Sequence, residues 1–349
     1  MLDSKETIKI LDTNQIYKVF KTGDGDLGFS ILRIPVNENT SKWGHCVMTA
    51  KKASSLGALI FASPWNPPES MQEKLNTGIR LKYDKYGDYA QHLNNFVKYM
   101  KERGIQLYSI SIQSEPDDPK GTRWTYKECV NFIANYADKI DCKVMSCESL
   151  AYRREYYLGI LNNSKANANI ALFGTHYYGS RNERRSVMDF SLLEKDPRDI
   201  WMTEDNIPIN DLDLLDRWPT ALDVGINIHN ALVVGRMNAY VWGNIKNGAI
   251  KKNGEISKIG YMFAHFSKFI RPGAVRVDCT ESPLDTVYIS AYLNTDGTLV
   301  IVAICNRNSY SKKYIVKGMN IKSVTRYQTS IRENLVVTKI EISNNSFFL

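Results

Sequence analysis

The sequence predicts an α/β fold, a (β/α)8 TIM-type barrel with an attached antiparallel β side domain. Three observations carry this. Short runs that are apolar on both faces alternate with amphipathic stretches, as in a buried parallel sheet with covering helices. Polar and aromatic residues gather just past the ends of those runs, where such barrels build their sites. Beyond about residue 270 the hydrophobic period becomes two, the signature of half-buried antiparallel strands. The expected boundaries are 1–268 for the barrel and 269–349 for the side domain.

In chain order, the runs are Leu27–Ile34, Ala58–Ser63, Leu107–Gln113, Lys143–Cys147, Ile170–Thr175, Ile200–Thr203 and Ala239–Trp242. That is seven, one short of a closed barrel of this type. Between them, Tyr86–Arg103 and Thr125–Lys139 place apolar residues three and four apart, which predicts helices. The later segments RPGAVRVDCT, DTVYISAYLN, GTLVIVAICNRN, KKYIVKG, SVTRYQTS and LVVTKIEI alternate and are separated by turns such as Thr295-Asp296-Gly297. A doubly wound sheet is the other α/β option. Without a GxGxxG after a strand, or a GxxxxGK[ST], its nucleotide-binding form is disfavoured.

With 349 residues the chain is long enough to bury a sizeable core. Twenty Tyr, 12 Phe and 6 Trp argue against disorder. No uncharged apolar run approaches membrane-spanning length, and the N-terminus MLDSKETIKILD lacks the apolar core of an export signal. The net charge of +8 would suit an anionic partner. The basic residues read as spread along the chain, so a solvated surface is expected and not a nucleic-acid face. The six cysteines contain no CxxC pair and the five histidines no HExxH. Free thiols are expected, with Cys142–Cys147 an open pairing, and neither metal nor cofactor.

The residues past the strand ends are Arg33, Trp65-Asn66, Glu115, Glu148, His176-Tyr177-Tyr178, Glu204 and Trp242. Glu115, in SIQSEPDD, and Glu204, in IWMTEDN, are two carboxylates on separate strands. Glycoside hydrolysis needs one such acid to protonate the departing sugar oxygen and another, ionised, to act at the anomeric carbon. A single Glu at a strand end reads equally as a capping or solvated acid; two of them among Trp, Tyr, His and Arg favour catalysis. Trp65, Trp124, Trp242, Tyr177 and Tyr178 are candidates for stacking on sugar rings, against ordinary packing, which is the better reading for Trp124. His176 and Glu148 read as buried structural groups. Arg181–Arg185 reads as a solvated loop.

Taken together, LGFSILRI, FASPWNPP, LKYDKYGDYAQHLNNFVKYM, SIQSEPDD, GTHYYG, IWMTEDN, DRWPTALDV and ISKIGYMFAHFSKFIRPG resemble bacterial glycoside hydrolase family 30, subfamily 8, the glucuronoxylan-type endo-β-1,4-xylanases. The resemblance runs almost end to end. It implies that Glu115 is the general acid/base and Glu204 the nucleophile. It also implies that Arg33, Trp65, Tyr178 and Trp242 line the subsite of the sugar to be cleaved, and that hydrolysis retains configuration. The implied partner is xylan, and the implied setting is a secreted monomer that binds neither nucleic acid nor membrane.

Four departures shape the expectation. Ser114 stands where the family places an Asn that bonds the sugar 2-hydroxyl, so a hydrogen bond that tightens in the transition state is weakened. Asn247 and Ala249 stand where glucuronoxylan-specific members carry an Arg and a Tyr that clamp the glucuronate branch; Lys246 substitutes only loosely for a bidentate cation. The loop Asp205–Asn210 lacks the aromatic and Ser residues that help hold that branch. Finally, the family's first barrel strand has no counterpart before Leu27, and the chain stops at Ser346-Phe347-Phe348-Leu349, short of the closing side-domain strand. The expected activity is xylan cleavage that does not depend on glucuronate. Hydrolysis of another β-linked glycan, and non-hydrolytic xylan binding, remain as alternatives.

Overall fold

A computed structural model describes residues 11–176, 178, 193, 195–206, 212–246, 248–251, 253–306 and 311–349. The chain forms two compact units. The first comprises residues 1–21, 29–208 and 230–245; the second comprises 22–28, 209–229 and 246–349.

In the first unit, seven parallel strands follow one another in sequence order. Ile31–Val36, Leu59–Pro64, Ser109–Ser111 and Val144–Met145 form one hydrogen-bonded arc. Phe173–His176, Ile200–Asp205 and Ala239–Trp242 form a second. Parallel bridges Met145–Leu172 and Ser149–Thr175 join the two. These are the seven runs read from the sequence, and among the described residues no eighth parallel strand joins these arcs. The strands are almost wholly buried, as runs apolar on both faces require. Phe61, Met145, Leu172, Trp201, Ala239 and Val241 pack into one cluster inside the sheet.

Helices of this unit arise from local signals. Thr13–Phe20 and Tyr126–Tyr136 each begin with a complete capping box, Asp12 with Gln15 and Thr125 with Glu128. Tyr86–Glu102 buries Tyr89, Leu93, Phe96, Val97 and Met100, at helical spacing, against the sheet side of the unit. Trp124 is buried and stacks on Tyr86, with ring centroids 5.5 Å apart.

Apart from the short hairpin of Gln72–Lys74 and Ile79–Leu81 in the first unit, the antiparallel strands described lie in the second unit. Val275–Val277, Val287–Leu293 and Leu299–Cys305 form one sheet, and Val324–Gln328 pairs with Val336–Ile340. Ser346–Phe348 is itself a strand, paired with Lys313–Ile315. Helix Lys258–Ser267 lies in this unit, capped by Ser257. The Lys258 ammonium donates to the carbonyls of Ser330 and Glu333 and to Asn334 Oδ1, which ties the hairpin loop down. Gly28 also belongs here. Its φ of +70° and the 2.6 Å that would separate a Cβ from Lys268 Cα admit no other residue. The run beginning at Leu27 therefore turns first and becomes a strand only at Ile31. All six cysteines are free thiols.

Candidate active site

At the C-terminal ends of the first unit's strands, Arg33 and Tyr178 converge on Glu204. Arg33, wholly buried on its strand, is the hub. Its Nε donates to Ser63 Oγ at 2.9 Å and its Nη2 to Ser114 Oγ at 2.9 Å. Nη2 also pairs with Glu148 Oε2 at 2.9 Å, and Nη1 bonds Glu204 Oε2 in a short contact. The guanidinium lies 4.5 Å from the ring centre of half-exposed Trp65, a cation–π contact. Tyr178 donates its hydroxyl to the other Glu204 oxygen at 2.9 Å. Both carboxylate oxygens of Glu204 are thus oriented.

Glu204 comes to this position through irregular backbone. The ladder to Phe173–His176 shifts register between Thr175 and His176, and the ladder to Ala239–Trp242 shifts between Met202 and Asp205. Bulges of this kind re-aim a side chain beside a site. The next residue, Asp205, is buried and accepts the Tyr240 hydroxyl at 2.6 Å. Gly243 follows Trp242 closely enough that a Cβ would lie 3.4 Å from Glu204 Cγ.

Glu115 sits in the left-handed region at φ +50°, immediately before Pro116. Sterics disfavour that region for a residue with a Cβ, and a following proline favours extended backbone. The strain, of order 1–3 kcal/mol, is held in place by neighbours. Glu115 donates its N–H to the Glu148 carbonyl at 2.8 Å, and Ser114 donates to the Pro64 carbonyl at 2.9 Å. The Glu115 carboxylate meets His176 Nδ1 at 2.9 Å, while His176 Nε2 lies 3.5 Å from Glu148.

The electrostatics follow from this wiring. Burial alone would push Glu204 up; the charges of His176 and Arg33, and hydrogen bonds from Tyr178 and Arg33, outweigh it and hold the group below the ordinary carboxylate range. Burial likewise opposes ionisation of Glu148, but Arg33 and His176 bring it down to about 2. Burial would lower His176; the Glu204 charge and hydrogen bonds to Glu115 and Glu148 instead raise it to about 9. One ligating atom from each of Glu115, His176 and Glu204 lies within 4.8 Å of the others. That spacing would also suit a cation. Arg33 and a protonated His176 already bring positive charge to these same atoms, so the cluster reads as an ion-paired site.

The structure brings together Arg33, Trp65, Ser114, Glu115, Tyr178 and Glu204. Trp242 ends its strand beside them but is only 4% exposed. Asn247, Tyr177, the Arg181–Arg185 loop and Ile207–Asn210 lie outside the described residues. Ser114 is buried with its hydroxyl engaged by Arg33. Sequence reasoning set aside Glu148 and His176 as structural, yet they connect Arg33 to Glu115. Their signal was position alone: each immediately follows or ends an apolar run.

A strand-end pair of carboxylates, one ion-paired and one bonded to a histidine, has the make-up that glycoside hydrolysis requires. Comparison with known proteins agrees. The family model for the glycosyl hydrolase family 30 β-sandwich domain matches residues 273–333. Glucuronoxylanase XynC of Bacillus subtilis strain 168 is 44% identical over 341 residues, covering 94% of this chain and 80% of its own. Among solved structures, a family 30 endoxylanase from Clostridium papyrosolvens C71 is 39% identical, with TM-score 0.86, covering 96% of this chain and 88% of that one. A family 30 subfamily 8 xylanase from Clostridium acetobutylicum is 31% identical, also with TM-score 0.86, covering 97% and 89%. The chain belongs to glycoside hydrolase family 30 and has its fold, a (β/α)8-type barrel with a β side domain.

Proposed function

We propose that this chain is a retaining endo-β-1,4-xylanase acting outside the cell, with no strict requirement for glucuronate branches. The observation that carries the mechanism is the spacing of Glu115 and Glu204, with facing oxygens within 4.8 Å. Retaining enzymes hold their carboxyl groups about 5–5.5 Å apart, whereas inverting enzymes leave room for a water at about 6.5–9.5 Å.

In the first step, Glu204 attacks the anomeric carbon. The glycosidic C–O bond breaks as Glu115 gives its proton to the departing oxygen, and a covalent glycosyl ester forms. In the second, Glu115 takes a proton from water, the resulting hydroxide forms the new C–O bond, and Glu204 is released. Arg33 and Tyr178 fit Glu204 for this by keeping it ionised and fixing its direction. His176 holds the Glu115 carboxyl toward the same point.

Xylan as substrate is supported by the relatives, which are named as glucuronoxylanases and xylanases. Independence from glucuronate is supported by the residues at the branch clamp. Asn247 and Ala249 offer no bidentate cation, and Ala249 is buried with its carbonyl accepting from Ser257.

The test is product analysis on glucuronoxylan and, separately, on arabinoxylan without glucuronate. Similar mixed oligosaccharides from both are expected, with the β-anomer appearing first by NMR. Products from glucuronoxylan alone would overturn the specificity, and an α-anomer first would overturn the mechanism. Glu204→Gln should abolish turnover. Glu115→Gln should cost ~10²–10⁴-fold on xylan and much less on an aryl glycoside whose leaving group departs unprotonated.

A further inference from the structure

The excess of positive charge has an address. Residues 1–245 carry 30 basic and 30 acidic side chains, whereas residues 246–349 carry 15 and 7, so the whole net charge of +8 lies in the C-terminal 104 residues. This corrects the even spread expected above. Within that stretch, Lys251 and Arg276 are ion-paired, Lys258 is committed to a loop, and Lys268 and Arg271 bond backbone carbonyls.

The span 312–339 differs. It holds Lys312, Lys313, Lys317, Lys322, Arg326, Arg332 and Lys339 against a single acid, Glu333. That glutamate is occupied locally by Gln328 and Ser330. Among the described residues, none of the seven cations has an acidic partner within ion-pairing distance, and all but half-buried Arg326 are exposed. Lys313 lies on the Lys313–Ile315 strand and Arg326 and Lys339 on the Val324–Gln328 and Val336–Ile340 hairpin, while Lys312, Lys317, Lys322 and Arg332 flank these strands in sequence. Lys313 pairs across its ladder with Phe348, which is 62% exposed, and shares a strand face with Ile315 at 63%. On the other sheet, Lys339 shares a face with Val337 at 57%. Unpaired like charges held together repel one another, and an anionic partner relieves that repulsion. Flat aliphatic and aromatic surface between the cations suits the apolar faces of sugar rings.

We propose that the sheet of Lys313–Ile315 and Ser346–Phe348, with its flanking lysines, docks the protein on a uronate-bearing polysaccharide. Asn345, next to Ser346, accepts from the N–H groups of Val316 and Ile321, which keeps Lys317 and Lys322 beside this sheet. The charged branches meet Lys312, Lys313, Lys317 and Lys322, and the chain lies over Ile315 and Phe348. The proposal rests on the reading that the substrate is xylan, because glucuronate is the anion such a polymer supplies. It separates two roles for that branch: it is not needed for cleavage, yet it concentrates the enzyme on the polymer.

The test is affinity electrophoresis of the full chain carrying Glu204→Gln, so that retention is read without turnover. The gels hold glucuronoxylan, the same polymer with its carboxyl groups reduced, or neutral arabinoxylan. Glucuronoxylan should retard the protein several-fold more than its reduced form, and 0.3 M salt should remove the difference by screening. Replacing Lys312, Lys313, Lys317 and Lys322 together by Gln should abolish it, while replacing the same four by Arg should preserve it. In the wild-type background, neither set should change hydrolysis of short neutral xylo-oligosaccharides. Equal retardation by the reduced polymer, or wild-type retention in the Gln variant, would overturn the proposal. So would binding to anionic phospholipid vesicles with none to glucuronoxylan, which would assign the face to membranes. Failure of the wild-type chain to release reducing ends from any xylan would instead strike the catalytic reading, since retention is measured independently.

Discussion

Tyr178 is the residue at which the site's electrostatics can be tested with least disturbance. Its hydroxyl donates to Glu204 Oε1, opposite the oxygen that Arg33 holds. A hydrogen bond to a charged group is worth ~1.5–3 kcal/mol, so Tyr178→Phe should lower kcat about 10–100-fold while leaving the fold intact. Steady-state kinetics on a soluble xylo-oligosaccharide measure this. An unchanged kcat would mean that Arg33 alone orients Glu204. Ser114 belongs to the same scale. As a serine it reaches only as far as Arg33, so the side chain preceding Glu115 is spent inside the protein.

At the scale of elements, what matters is how separate strand ends are held in register with one another. Asp117, two residues past Glu115, accepts from the Ser149 hydroxyl at 2.9 Å and from the N–H groups of Leu150 and Ala151 at 2.7 and 3.1 Å. It thereby pins the turn that follows Glu148 to the turn that carries Glu115. Asp117→Ala leaves two backbone donors without their carboxylate and should cost ~2–4 kcal/mol. Chemical denaturation would measure this loss, and activity should fall with it as Glu115 and Glu148 lose their common frame. An unchanged denaturation midpoint would show that the clamp is redundant.

The same scale explains what was readable from the sequence. Strand ends carrying Glu115 and Glu204 are visible because apolar runs announce strands and a carboxylate ending one is conspicuous. The local twist is not visible: Ser-Glu-Pro reads as extended, yet contacts from Glu148 and Pro64 hold Glu115 at positive φ. His176 and Glu148 looked like core residues because their partners lie 61 and 115 residues away, at Glu115 and Arg33, a pairing that periodicity does not encode. Gly28 shifts the start of a strand for a reason that only the packing of Lys268 reveals. Ser346–Phe348 is a strand because Lys313–Ile315 presents a ladder for it, not because three residues have a period.

For the whole molecule, the site's charge pattern sets a pH window of stability. His176 has its ordinary value of 6.5 raised to about 9, so its contribution is complete below 6.5 and is lost as pH rises through 9. Glu148 runs the other way. Its value falls from 4.5 to about 2, so its contribution is complete above 4.5 and is lost as pH falls through 2. Both are whole between 4.5 and 6.5, which predicts a plateau in Tm there and a decline on each side. The alkaline decline belongs to one imidazolium held between Glu115, Glu148 and Glu204. His176→Asn should therefore lower Tm by several degrees on the plateau and flatten the profile between pH 6.5 and 9, because the variant has no proton to lose in that range. Calorimetry across this range on both proteins decides the matter: a wild-type Tm equal at pH 6 and pH 9 would mean that His176 is not a buried cation. The activity profile should lose its alkaline side in step, since the imidazolium that stabilises the fold is also the group that holds the Glu115 carboxyl in place.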